Sequence, residues 1–112
     1  MQTNILCISY DESLLRTRQL LLEHQGYKVT SAFGYVEGVE RCRDGHFDVA
    51  FIGHSVPHVD KVGLAREFVA HNEGSIVATT VLGEDPIDRV HFLPSSVGPQ
   101  MVLEAIRNLL QR

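Results

Sequence analysis

Asp48-Val49-Ala50-Phe51-Ile52-Gly53-His54-Ser55-Val56-Pro57-His58-Val59-Asp60 is the stretch whose reading decides the fold. With Phe47 before it, its first half is the most apolar run of the chain, and it has the length of a strand covered on both faces. Such a strand belongs at the centre of a parallel sheet. The second half is polar, carries Pro57 four residues after Gly53, and reads as a loop through Asp60. Ligands of open α/β sheets sit outside the carboxyl ends of the strands, so Gly53 and its followers mark where a site would lie.

On the N-terminal side, Asn4 to Ser9 is another short apolar run. Asp11 offers a helix cap, with Glu12 suited to the first turn. Leu14, Leu15, Thr17, Leu21 and Leu22 fall on one helical arc, and Gly26 is a stop signal. Tyr27 to Ala32 is β-prone. Tyr35 to Arg43 reads as a second helix, with Val36, Val39 and Cys42 at helical spacing, closed by Asp44-Gly45.

On the C-terminal side, Gly63 to about Asn72 reads as a helix with Leu64, Ala65, Phe68 and Val69 apolar. Ser75 to Val81 and Val90 to Leu93 read as strands. Pro99 opens a last helix with Val102, Ala105, Ile106, Leu109 and Leu110 on its apolar face. Strands alternating with helices predict one α/β/α domain over residues 1–112, with a five-stranded parallel sheet, right-handed crossovers and helices on both faces. The connection Leu82 to Arg89 is the exception. It holds eight residues, among them Gly83 and Pro86, whereas a helical crossover needs a dozen or more. The helix between the fourth and fifth strands is therefore expected to be shortened or absent, leaving one sheet face to be shielded otherwise or used for a partner.

Composition excludes several classes. The 112 residues suit a single core, and 44% hydrophobic content argues against disorder. No apolar run approaches a membrane span, and the start lacks the charge of a secretory leader. A net charge of −4 without a basic tract argues against nucleic-acid binding. Cys7 and Cys42 fall in a strand and a helix and read as buried thiols, which points to a cytoplasmic protein.

The order of elements, with Ile5-Leu6-Cys7-Ile8, Asp11 with Leu14-Leu15-Arg16, Gln25-Gly26-Tyr27-Lys28-Val29, Asp48 to Gly53 with Pro57, Thr79-Thr80 and Leu93-Pro94, resembles the receiver domain of two-component response regulators. The resemblance implies a flavodoxin-like sheet of order 2-1-3-4-5, a phosphoacceptor aspartate at the position of Gly53 and two Mg²⁺-binding acids at those of Ser9 and Tyr10. It also implies a hydroxyl at Thr80 and a lysine at the position of Leu93. Only the hydroxyl is present. The chain thus resembles a degenerate, pseudo-receiver member: non-enzymatic, without Mg²⁺ or other cofactor, binding a protein partner such as a sensor kinase or another receiver domain, or a second copy of itself. The expectation is that the Tyr10 ring fills the space left by the missing aspartate.

Other groups near the strand ends are candidates for substitute chemistry. Asp11 reads as a helix cap. Asp48 lies roughly 17 Å of strand away from Gly53, at the wrong end of the sheet. Asp60 is a lone carboxylate in the loop, which leaves residual phosphotransfer through it as one alternative. His54, His58 and His91 suggest a rim, but Pro57 stands between the first two and no further ligand completes a metal set. A small-molecule or ion sensor built on Tyr10, His54, Thr80 and His91 is the other alternative. The GxxxxGK[ST], GxGxxG and GxSxG motifs are absent.

Overall fold

The computed structural model describes residues 2–111. Five parallel strands, β1 (Asn4–Ser9), β2 (Lys28–Phe33), β3 (Val49–Ile52), β4 (Ser75–Thr80) and β5 (Val90–Pro94), pair in the order β2-β1-β3-β4-β5. Helices α1 (Glu12–His24), α2 (Tyr35–Asp44), α3 (His58–His71) and α4 (Pro99–Leu110) flank the sheet. All four residues of β3 are buried, as a central strand requires.

Strand alternation divides the core in two. Leu6, Ile8, Ala50, Ile52, Ile76 and Ala78 meet Cys42 of α2 and Leu64 and Phe68 of α3. Ile5, Cys7, Val49, Phe51 and Val77 meet Leu15 and Leu22 of α1 and Val102, Ile106 and Leu109 of α4. Gly38 lets α2 approach closely, since a Cβ there would lie 2.9 Å from Leu64 Cδ2. Asn72 ties the lower end together, its amide donating to the Cys42 and Phe68 carbonyls and its Oδ1 accepting from Phe47 N.

Three expectations change. α3 begins at His58, five residues before Gly63, with Pro57 at its N-cap and Asp60 in its first turn, so the expected loop ends earlier. Thr17 does not face the core: it is exposed, and its hydroxyl donates to Ser13 O, while Arg18 takes the inward position between Leu15 and Leu22. Val36 is 71% exposed, since the inward face of α2 is narrower than its apolar spacing implies. Residues 81–89 contain no helix, as the length of that connection requires. Cys7 and Cys42 are buried and unpaired, and burial pushes both thiols up to about 12. No helix among the described residues is long and apolar enough to cross a membrane.

Candidate functional site

The strands end together at one edge of the sheet. Ser9 closes β1 and is fully buried. Its hydroxyl lies 3.1 Å from Ser55 Oγ and 3.0 Å from both the amide nitrogen and the carbonyl oxygen of Asp11. Ser55 Oγ accepts from Tyr10 N at 2.9 Å. Two serines thus knit the turn after β1 to the loop after β3. Hydroxyls so engaged are poor substitutes for a pair of metal-binding carboxylates.

Tyr10 does not fill the space beside Gly53. Its ring packs against the α2/α3 side of the core, and its hydroxyl donates to Asp60 Oδ2 at 2.8 Å. Burial, with the Asp60 hydrogen bond and charge added, pushes the phenol well above its ordinary value. Asp60 reaches the site as expected, but from the first turn of α3, and its carboxylate is engaged by Tyr10. Asp11 caps α1, accepting from Leu14 N at 3.1 Å. Asp48 lies at the far end, accepting from Asn4 N at 2.8 Å.

Arg18 occupies the vacated space. A Cβ on Gly53 would stand 2.5 Å from Arg18 Nη1, 3.5 Å from Ile8 O and 3.5 Å from Ser9 Oγ. The guanidinium reaches this point from the middle of α1, its Cζ 5.0 Å from the centroid of the Phe51 ring. Nη1 is buried without a hydrogen-bond partner, and no carboxylate forms an ion pair with Arg18 among the described residues. Nη2 lies 3.4 Å from His54 Nδ1. Partial burial lowers the His54 pKa, and the positive charges of Arg18 and Lys61 lower it further, so a neutral imidazole can accept from the guanidinium.

On the other face of the sheet stands a second buried cation that the sequence reading missed. Lys61, 1% exposed, donates to Thr79 O at 3.0 Å and pairs with Glu84 of the β4–β5 connection. His58 Nδ1 lies 2.8 Å from the other Glu84 oxygen, and the Lys61 ammonium is 5.6 Å from the Phe92 ring centroid. Burial alone would raise the Glu84 carboxyl. The hydrogen bonds from Lys61 and His58, with the Lys61 charge, outweigh it and hold the group at about 2.

The signal for Lys61 lay in the spacing. Lys61, Leu64, Ala65 and Phe68 are the buried residues of α3, one i, i+3, i+4, i+7 stripe whose first member precedes the start expected at Gly63. Arg18 was legible in the same way, three residues after Leu15 and four before Leu22.

The remaining site residues scatter. The Thr80 hydroxyl donates to Leu82 O, and the β3–β4 register of Ile52 with Ala78, continued by one residue, sets Thr79 beside Gly53. Thr79 is buried, and its hydroxyl has no partner. Leu93 pairs with Thr79 and packs on the α1/α4 side. His91 is exposed on β5, and strand alternation turns it away from the face that Phe92 shares with Lys61. With His54 against Arg18 and His58 against Glu84, the three histidines form no common site. No group of three His, Cys, Asp or Glu side chains among the described residues is placed to hold a metal ion.

No family model matches the chain. It is 34% identical over 65 residues to the transcriptional regulatory protein CseB of Streptomyces avermitilis, a match covering 58% of this chain and 28% of that protein. The chain therefore matches less than a third of the length of this curated relative. Among solved structures it is similar to a two-component response regulator from Clostridium difficile, with a TM-score of 0.84 and 20% identity over 99% of this chain and 98% of the other. A response regulator receiver protein from Sinorhizobium medicae gives 0.85 and 17%, covering 98% and 95%. The receiver domain of a sensor histidine kinase from Pseudomonas aeruginosa, with magnesium coordinated in its active site cleft, gives 0.81 and 17% with full coverage of both chains. The chain has the receiver-domain fold.

Proposed function

We propose that this chain is a receiver module of phosphorelay-type signal transduction that is not phosphorylated on aspartate and acts by binding a protein partner, such as a sensor kinase or another receiver domain. On this reading it is a cytoplasmic, non-enzymatic module that uses no Mg²⁺. The observation that carries the reading is Arg18 Nη1, placed 2.5 Å from the point where a side chain on Gly53 would begin. A guanidinium there opposes a divalent ion. At an effective dielectric of about 20, unit charges about 4 Å apart repel by roughly 4 kcal/mol, and a double charge makes this roughly 8. Ser9 and Tyr10 supply no carboxylate to offset that cost.

Without an acyl phosphate, switching between states requires another ligand with different affinity for each of them. The packed Ser9–Ser55 and Tyr10–Asp60 contacts favour one fixed arrangement, and hence constitutive rather than switched binding.

A Mg²⁺ titration followed through the backbone amide resonances of Ser9, Tyr10, Gly53 and Thr79 tests this reading. The expected result is no saturable shift at millimolar Mg²⁺. Saturation at these four amides would overturn it.

A further inference from the structure

A right-handed crossover from β4 to β5 would place its helix on the face that carries α2 and α3. Residues 81–89 supply none. On that face Val90 and Phe92 of β5 pack only partly buried, together with Ile87 of the connection. Beside α3 this leaves a groove of about 380 Å³, with Val62, Ala65 and Val69 on one side, Ile87 on the other, and Arg66 and Arg89 at its edges.

Both arginines are exposed, and neither forms an ion pair with a carboxylate among the described residues. Asp88 also lines the groove, leaving an excess of one positive charge at an apolar surface of a chain whose net charge is −4. Arg89 is the one non-glycine residue with positive φ (68°) among the described residues. Such backbone is uncommon outside glycine, and here it shapes the turn that leads into β5 beside the groove.

We propose that this groove docks an amphipathic helix of a partner protein, with an apolar stripe at i, i+3, i+4 and i+7 and acidic residues flanking it. The stripe lies on Val62, Ala65, Val69 and Ile87, and the acids meet Arg66 and Arg89. The guest supplies the layer that the crossover omits, restoring cover to the outer half of a parallel sheet. This rests on the reading of the chain as a protein-interaction module.

Selection from a displayed library of helical peptides of about 16 residues tests it, long enough for the two turns of such a stripe. The expected winners carry Glu or Asp beside an apolar i, i+3, i+4, i+7 stripe. They bind the Arg66→Glu/Arg89→Glu variant about tenfold or more weakly, while an Arg41→Glu control and the melting temperature stay unchanged. No enrichment, winners without acids, or equal binding to the double variant would overturn the proposal. Intact-mass measurement of the same samples after a small-molecule phosphodonor and Mg²⁺ separates the two claims. A phosphorylated chain that still selects acidic helices overturns the unphosphorylated reading alone. An unmodified chain that selects nothing overturns the groove alone.

Discussion

Two cations are sunk into opposite faces of the same sheet, and only one has a counter-charge. Lys61 reaches the α2/α3 side and meets a carboxylate, a carbonyl and an aromatic ring. Arg18 reaches the α1/α4 side and meets a ring and a neutral imidazole, with one nitrogen left unpartnered. Burying a charge is costly unless it is paired. The Lys61–Glu84 pair is therefore a structural clasp that fixes a connection too short for a helix. Arg18 has no such structural return. It is tolerated because Gly53 leaves room for it, and its charge sits where a receiver that uses Mg²⁺ would want carboxylates.

The largest effect should come from unpairing the clasp. Glu84→Ala leaves the Lys61 ammonium buried without a counter-charge, with an expected loss of about 3–5 kcal/mol in urea unfolding. Lys61→Met/Glu84→Gln should recover most of it, since it leaves no uncompensated buried charge. A loss below about 1 kcal/mol for Glu84→Ala would mean that Lys61 behaves as a surface group, and the contrast would collapse. The pH dependence follows from the same pair. The folded-state pKa of Glu84 lies below its ordinary 4.5, at about 2. Its contribution is therefore fully present above 4.5 and declines as pH falls toward 2. The stability of the wild type relative to the double variant should therefore fall over that window.

Arg18 is probed by supplying the missing carboxylate. Gly53→Asp must displace Nη1, as must Gly53→Asn, but only the aspartate offers a counter-charge. The Asp variant should be the more stable of the two by about 1.5–3 kcal/mol, and the gap should narrow in high salt. Equal stabilities would show that Arg18 is already compensated. The smallest effect is expected for Arg18→Met. Arg18 is only half-buried, so relief of its unpaired charge is set against loss of the Phe51 ring and His54 contacts, and stability should change by less than about 1 kcal/mol. Thermal and urea unfolding read both comparisons.

These contrasts also show why the fold was more legible than the site. Strand runs, Gly26 and Pro99 report local physics, so the five strands were readable from periodicity and turn residues, and their order from the resemblance to receiver domains. The short Leu82–Arg89 connection was readable from length alone. The site depends on where long side chains travel. Arg18 and Lys61 hold core-facing positions while being charged, so a pattern of apolar residues passes over them. Their partners, Gly53 and Glu84, lie 35 and 23 residues further along the chain. Thr79 and Thr80 differ by one register step, and only the pairing of β3 with β4 chooses between them. Tyr10 was placed beside Gly53 on the grounds of available volume, but Asp60 draws its hydroxyl to the other face.

The central claim is that the Gly53 end of the sheet has given up aspartyl phosphorylation. Incubation of the chain with a small-molecule phosphodonor and Mg²⁺, beside a receiver domain known to accept phosphate, followed by intact-mass measurement and peptide mapping, tests it most directly. The account predicts modification of the reference domain and no mass gain on this chain. A stable gain of one phosphoryl group, mapped to Asp60 or to any other aspartate, would contradict it.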